Sequence, residues 1–235
     1  MFSLPGGGPY NPPPMSPERA VLFDLDGTLV DTERENVESV VLAVRRFQVE
    51  LDEDMRAFIV GHSWNEIHAR IQRDYGLDVD MDVLIMAAVE EKRALFAQSG
   101  YQPLPGALAL VHRLRPRAGL AVVSGSSRVE VRETVTGIGL LDYFDCLLGA
   151  EDYGRGKPHP EPYQTAMRML AVPPRSSIVI EDAEPGILAG KAAGAQVIAV
   201  RRANFMGYDQ SAADVAVDTL EQITDELLES LWTRA

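Results

Sequence analysis

Residues 20–28 read AVLFDLDGT, and the fold turns on them. Four apolar residues, β-branched and aromatic among them, read as a buried strand, and the acids and glycine that end it read as a turn. Alternate strand positions share a face, so Asp24 and Asp26 point the same way unless the chain already turns. Two carboxylates held close repel each other, and burying them is costly without compensation. Either they sit in a solvated turn, or they hold a cation, or they divide into one acid and one base. Gly27 allows a sharp turn that brings backbone N–H groups near an anion, and Thr28 adds a hydroxyl.

Working outward, the apolar period changes at once. In 31–47 the residues Val37, Val40, Val41, Val44 and Phe47 fall on one helical face. Asp52 to Ile59, Trp64 to Tyr75 and Met81 to Phe96 read the same way, so 31–100 is expected to be helical with no strand. After Pro103 the pattern reverses. LAVVSG (120–125), FDCLLGA (144–150), SIVIED (177–182), AQVIAV (195–200) and DVAV (214–217) read as strands. Helical stretches lie between and after them, over 106–115, 128–137, 161–170, 185–193 and 220–231. Such alternation predicts an α/β fold with a mostly parallel sheet sandwiched by helices. The helical block is then an insert behind the first core strand. The expected division is a flexible Pro/Gly-rich segment at 1–17, a core at 18–30 and 104–235, and a helical insert at 31–103.

Ligands of open α/β sheets bind at the carboxyl ends of the strands, and three further polar signals fall at or near that edge. Glu181-Asp182 ends SIVIED, where paired acids suit a hard cation such as Mg²⁺. Ser124-Gly125-Ser126-Ser127 leads into Arg128, and reads either as an anion site at a helix start or as an ordinary N-cap. Lys157, in the turn Gly154-Arg155-Gly156-Lys157-Pro158, is either a solvated loop lysine or a fixed charge that offsets a phosphate. Neither a glycine-rich dinucleotide fingerprint nor a G-x-x-x-x-G-K-[ST] loop is present.

Composition narrows the partners. The chain has 235 residues, 46% of them hydrophobic, which is enough for a substantial core. Its formal net charge of -13 disfavours nucleic acid and anionic membranes. A phosphorylated ligand would need local positive charge from a metal and a few basic side chains. The single cysteine, Cys146, excludes an intrachain disulfide and reads as a small apolar residue rather than a nucleophile. No stretch approaches a membrane span, and the N-terminus lacks the pattern of a signal peptide, so the cytoplasm is the expected compartment. Monomer and homodimer are equally compatible with the sequence.

Four segments in order, DLDGTLVDT (24–32), VVSGSSR (122–128), GKPHPEPY (156–163) and IEDAEPGI (180–187), resemble the haloacid dehalogenase-like hydrolase superfamily. The resemblance is to members with a helical cap after the first core strand, in the branch that holds phosphatases and β-phosphoglucomutases. It implies that Asp24 is the nucleophile, that Asp26 is the general acid/base, and that Ser124 and Lys157 hold the phosphate. It implies a Mg²⁺ site made by Asp24, Asp182 and the backbone carbonyl of Asp26, with Glu181 acting on the metal through water. Backbone N–H groups near Leu25 and Gly125 would hold phosphoryl oxygens. The expected partner is a small phosphorylated metabolite, most plausibly a sugar or polyol phosphate.

Departures from the pattern refine the reaction. The superfamily's true dehalogenases lack the second aspartate of the first motif, which is present here as Asp26. The phosphonate-cleaving branch needs a cap lysine, and residues 31–50 contain none. In the mutases a cap histidine stands where this chain has Asn36, and a cap lysine and arginine stand where it has Val60 and Trp64. The expectation is therefore a phosphatase, with a mutase as the alternative and a phosphate-binding regulatory protein as the non-enzymatic one. In the cap, Glu33, Asn36, His62 and Lys92 are candidate substrate contacts, and a solvated helix surface is the other reading of each.

Overall fold

A computed structural model describes residues 17–60, 62, 64–201 and 207–233, apart from the side chain of Glu33. The expectation of a flexible segment at 1–17 falls almost wholly outside the described residues. The chain divides into two compact units, one comprising the residues up to Val30 and from Pro103 onward, the other Asp31–Gln102.

The elements run β1 (Ala20–Phe23), β2 (Val30–Asp31), α1 (Glu33–Arg45), α2 (Glu53–Ile59), α3 (Trp64–Tyr75), α4 (Met81–Ser99) and β3 (Gln102–Pro103). Then follow α5 (Ala107–Leu114), β4 (Gly119–Val123), α6 (Arg128–Gly137), β5 (Cys146–Leu148), α7 (Glu161–Leu170), β6 (Ser177–Glu181), α8 (Glu184–Ala192), β7 (Gln196–Val200), β8 (Val215–Val217) and α9 (Asp225–Trp232). Six strands form one sheet in the order β5-β4-β1-β6-β7-β8, and every pairing in it is parallel. This is the expected α/β architecture, a mostly parallel sheet between helices with an inserted helical cap.

The strands are apolar without alternation because both faces of the sheet are covered. On one face Ala20, Leu22, Ala121, Val123, Val179, Val197 and Ala199 pack with Tyr163, Ala166, Met167 and Leu170 of α7 and Ile187 and Ala189 of α8. The alternate positions Val21, Phe23, Leu120, Val122, Ile178, Ile180 and Ile198 are fully buried as well. Because β1 lies between β4 and β6, Asp24 leaves the sheet flanked by Ser124 on one side and Glu181-Asp182 on the other. That strand order brings three distant stretches of sequence to one edge.

The unit 31–102 has its own core. Val40, Val41, Ala43 and Val44 of α1 pack with Met55 and Ile59 of α2, Ile67 and Ile71 of α3, and Leu84, Ala87 and Ala88 of α4. Asp52 caps α2 by accepting from the Met55 N–H, and Asp80 caps α4 by accepting from the Asp82 N–H.

The sequence reading needs two corrections in detail. Asp31, expected in a helical block without strands, belongs to the short strand β2. The single helix expected over 220–231 is a 3₁₀ turn at Leu220–Gln222 followed by α9. There Thr224 caps α9 through its hydroxyl, so the chain breaks where a side chain competes for backbone N–H groups. No helix among the described residues is long and apolar enough to cross a membrane.

Candidate active site

Residues 24–30 make a tight turn, in which the Leu25 carbonyl accepts from the N–H groups of Thr28, Leu29 and Val30. Gly27 sits at φ +82°, and a Cβ there would lie 2.6 Å from Asp182 Oδ2. The glycine therefore meets two demands, a left-handed backbone and the close approach of a carboxylate. The Thr28 hydroxyl donates to Asp182 Oδ1 at 3.1 Å, which ties the first motif to the last.

Lys157 is the hub. Its Nζ donates to Asp24 Oδ1 at 2.6 Å, Glu181 Oε1 at 2.6 Å and the Val123 carbonyl at 3.0 Å. A lysine ammonium has three donors, and all three are engaged. Burial would depress its pKa, but Asp24 and Glu181 outweigh that and hold it well above the usual range. The solvated-loop reading of Lys157 is thereby set aside.

Asp24, Glu181 and Asp182 form a carboxylate cluster whose ligand atoms all lie within 4.8 Å of one another. Asp24 and Asp182 each retain 9% exposure, and Glu181 retains 1%. Burial, with Glu181 and Asp182 beside it, pushes Asp24 well above the usual carboxylate range against the opposing pull of Lys157. Burial and Glu181 push Asp182 up to about 7. Burial and mutual repulsion disfavour three charged carboxylates here, and a divalent cation among them would stabilise their charged forms. The donors are all carboxylate oxygens, so the residues fit a hard cation.

The three acids are not equivalent. Glu181 Oε1 accepts from Lys157 and from the Tyr163 hydroxyl at 2.7 Å. Its Oε2 accepts from the N–H groups of Asp182 at 3.1 Å and Ala183 at 3.3 Å. A carboxylate has about four acceptor directions, and four donors fill them. Glu181 is thus spoken for by protein groups, whereas Asp182 is met by Thr28 on one oxygen.

On the other flank, Asp26 Oδ2 accepts from Ser124 Oγ at 3.4 Å and Ser126 Oγ at 3.1 Å. The backbone of Ser124 is anchored too, since its carbonyl accepts from the Tyr153 hydroxyl at 2.7 Å. Ser127, not Ser124, is the N-cap of α6, in a capping box with Glu130. The N-cap reading of this segment is thus met at Ser127. Gly125 is exposed, and a Cβ there would meet nothing within 4 Å.

The core residues named from sequence, Asp24, Leu25, Asp26, Ser124, Gly125, Lys157, Glu181 and Asp182, thus gather at the ends of β1, β4 and β6. Thr28 as a donor to Asp182, Ser126 as a donor to Asp26 and Tyr163 as a donor to Glu181 were not assigned from sequence. Tyr163 left a trace, since it stands on the buried face of α7 with Ala166, Met167 and Leu170. A tyrosine on an apolar stripe needs a partner for its hydroxyl.

The cap candidates belong to the unit 31–102. Asn36, half-buried in α1, donates from Nδ2 to Thr32 Oγ1 at 3.5 Å. His62 stacks on Phe58 at 3.7 Å between centroids, and its Nδ1 lies 3.3 Å from the Val60 carbonyl. Lys92 is half-buried in α4. The Glu33 side chain lies outside the described residues.

A parallel α/β core interrupted by a helical cap, with an Asp/Glu cluster and a lysine at the strand ends, is consistent with a capped hydrolase of metal-assisted phosphoryl transfer on small phosphate esters. The chain belongs to the haloacid dehalogenase-like hydrolases, whose family model matches residues 21–200. It is 37% identical to validoxylamine A 7'-phosphate phosphatase of Streptomyces hygroscopicus subsp. limoneus, over 75% of this chain and 82% of that protein. It is 33% identical to hexitol phosphatase A of Escherichia coli, over 88% of this chain and 93% of that one. Among solved structures it resembles CbbY of Rhodobacter sphaeroides in complex with phosphate, with a TM-score of 0.78 at 25% identity, covering 90% of this chain and 99% of that one. The protein is an enzyme of phosphatase type.

Proposed function

We propose that the protein is a Mg²⁺-dependent phosphomonoesterase acting on a small organic phosphate, a sugar or polyol phosphate, through an aspartyl-phosphate at Asp24. The observation that carries this reading is the contact of Lys157 Nζ with Asp24 Oδ1 at 2.6 Å beside the buried cluster with Asp182. A carboxylate is a serviceable nucleophile toward a phosphate dianion only when its own charge is offset.

Asp24 attacks phosphorus, and the bond to the ester oxygen breaks. Asp26 gives that oxygen its proton, leaving as an alcohol. The resulting carboxylate of Asp26 then takes a proton from water, which attacks the same phosphorus and frees Asp24 and inorganic phosphate. The different partners of the two acids, Ser124 and Ser126 hydroxyls on Asp26 Oδ2 and Lys157 on Asp24 Oδ1, support this division of labour. Lys157 offsets charge on the nucleophile, and Ser124 with the N–H groups of Leu25 and Gly125 binds the phosphoryl oxygens. The carboxylates of Asp24 and Asp182 and the Asp26 backbone carbonyl would hold Mg²⁺, while Glu181, whose oxygens are taken by protein donors, would act on the site through its contact with Lys157. When bound, Mg²⁺ supplies positive charge that stabilises the transferring phosphoryl group.

Substrate recognition is assigned to the helical unit by resemblance, through Glu33, Asn36, His62 and Lys92. The likeness to a validoxylamine A 7'-phosphate phosphatase and a hexitol phosphatase supports a small organic phosphate as substrate. The test is phosphate release from a panel of hexose, hexitol and other small-metabolite phosphates, with Mg²⁺ and with EDTA. The expected result is metal-dependent release from one compound class. Isomeric sugar phosphates without phosphate release would make the protein a mutase instead.

A further inference from the structure

The Tyr163 side chain is fully buried, and its hydroxyl donates to Glu181 Oε1 at 2.7 Å. The same oxygen accepts from Lys157 at 2.6 Å, and the Lys157 ammonium lies 5.0 Å from the centroid of the tyrosine ring. Two donors therefore converge on one oxygen in the buried layer behind the nucleophile.

We infer that Tyr163 is a positioning residue: by donating to Glu181 Oε1 it fixes the point toward which Lys157 is drawn, and so sets how much of the lysine's charge reaches Asp24. The inference rests on the phosphatase reading for its consequence in catalysis, but not for its geometry. Lysine is a flexible four-carbon stem whose head is aimed only by its acceptors. Here the acceptors are Asp24, the Val123 carbonyl and Glu181. The Val123 carbonyl is fixed by the sheet. Glu181 Oε2 is held by the Asp182 and Ala183 N–H groups, which leaves Oε1 to be shared between Lys157 and Tyr163. Without the phenol, Oε1 keeps Lys157 as its one remaining donor, and the attraction between the two strengthens although their contact is already 2.6 Å. The ammonium then shifts its weight from Asp24 to Glu181, and the nucleophile keeps more of its charge against an incoming dianion.

The sequence around this group supports a dedicated seat. Gly186, on the first turn of α8, is packed so tightly that a Cβ would fall 1.6 Å from Glu181 Oε1. Helix α7 supplies the tyrosine, β6 the glutamate and the turn at 157 the lysine.

The test is Tyr163→Phe, which keeps the ring and removes only the hydroxyl. With p-nitrophenyl phosphate and saturating Mg²⁺, kcat should fall about tenfold while KM changes less than about twofold, as expected for one charge-assisted hydrogen bond acting in the transition state. In a Glu181→Gln background the same substitution should change kcat by less than about twofold, because the charge that draws Lys157 away from Asp24 is gone. The ¹⁵Nζ signal of Lys157 should shift and lose exchange protection in Tyr163→Phe but not in Met167→Ala, a neighbour on the same buried face. An unchanged kcat and Lys157 signal in Tyr163→Phe would overturn the inference, as would an equal loss in both backgrounds. If the wild type released no phosphate from any ester, the phosphatase reading would fail, and the Lys157 signal would still decide the role of Tyr163.

Discussion

At the scale of the residue, the same side-chain type takes different roles according to what surrounds it. Asp24, Glu181 and Asp182 are three carboxylates within a few ångströms, yet one is held by a lysine, one is filled by four donors and one is tethered by a threonine hydroxyl. Those differences lie in partners brought from far along the chain, which periodicity cannot reveal. The acids themselves were legible because they interrupt apolar strands, where a charge needs a reason. Cys146 illustrates the opposite case. It is partly buried in β5, and burial, reinforced by Asp145 and Asp152, pushes its thiol up to about 12. Its folded pKa lies above the unfolded value, so the folded state keeps the proton as pH rises, and the thiolate fraction at pH 8 is only about 10⁻⁴. Iodoacetamide at pH 8 should therefore alkylate the native protein at least about a hundredfold more slowly than the urea-unfolded chain. Equal rates would show that Cys146 is open and reactive.

At the scale of the element, the positions of the strands and most helices could be read from apolar period alone. Helix α3 over Trp64–Tyr75, α6 over Arg128–Gly137 and α7 over Glu161–Leu170 begin and end where their patterns do. The misses are local and chemical, such as the break before Thr224, where an apolar period continues across a capping side chain. Glycines separate in the same way. Gly186 lies in an ordinary helical stretch, and only the structure shows that it makes room for Glu181. Gly186→Ala should cost about 3 kcal/mol, a Tm drop of about 9 °C at about 3 °C per kcal/mol for a chain of this size. Phosphatase activity should fall with it, since the displaced glutamate carries Lys157. Gly125→Ala, with open space around the new methyl, should leave Tm within about 1 °C. Thermal unfolding of the two variants side by side checks both expectations, and similar Tm values would show that the seat of Glu181 is loose.

At the scale of the whole molecule, the chain carries a net charge of -13 yet gathers its chemistry at a point where one buried ammonium faces three buried carboxylates. A phosphate meets further negative charge at such a site, and a cation held by the cluster would offset it. The order of the sheet, with β1 between β4 and β6, assembles the parts, and that order does not follow from the positions of the strands in sequence. The central claim is that Asp24 becomes phosphorylated during turnover. The most direct measurement is rapid acid quench of the enzyme turning over a ³²P-labelled sugar phosphate with Mg²⁺, with one portion peptide-mapped for ³²P at low pH and a parallel portion mapped after borohydride reduction, which expels the phosphate. The account predicts label on the peptide containing Asp24, conversion of that residue to homoserine, and loss of both in Asp24→Asn. Turnover with no acyl-phosphate on Asp24, or undiminished turnover by Asp24→Asn, would contradict it.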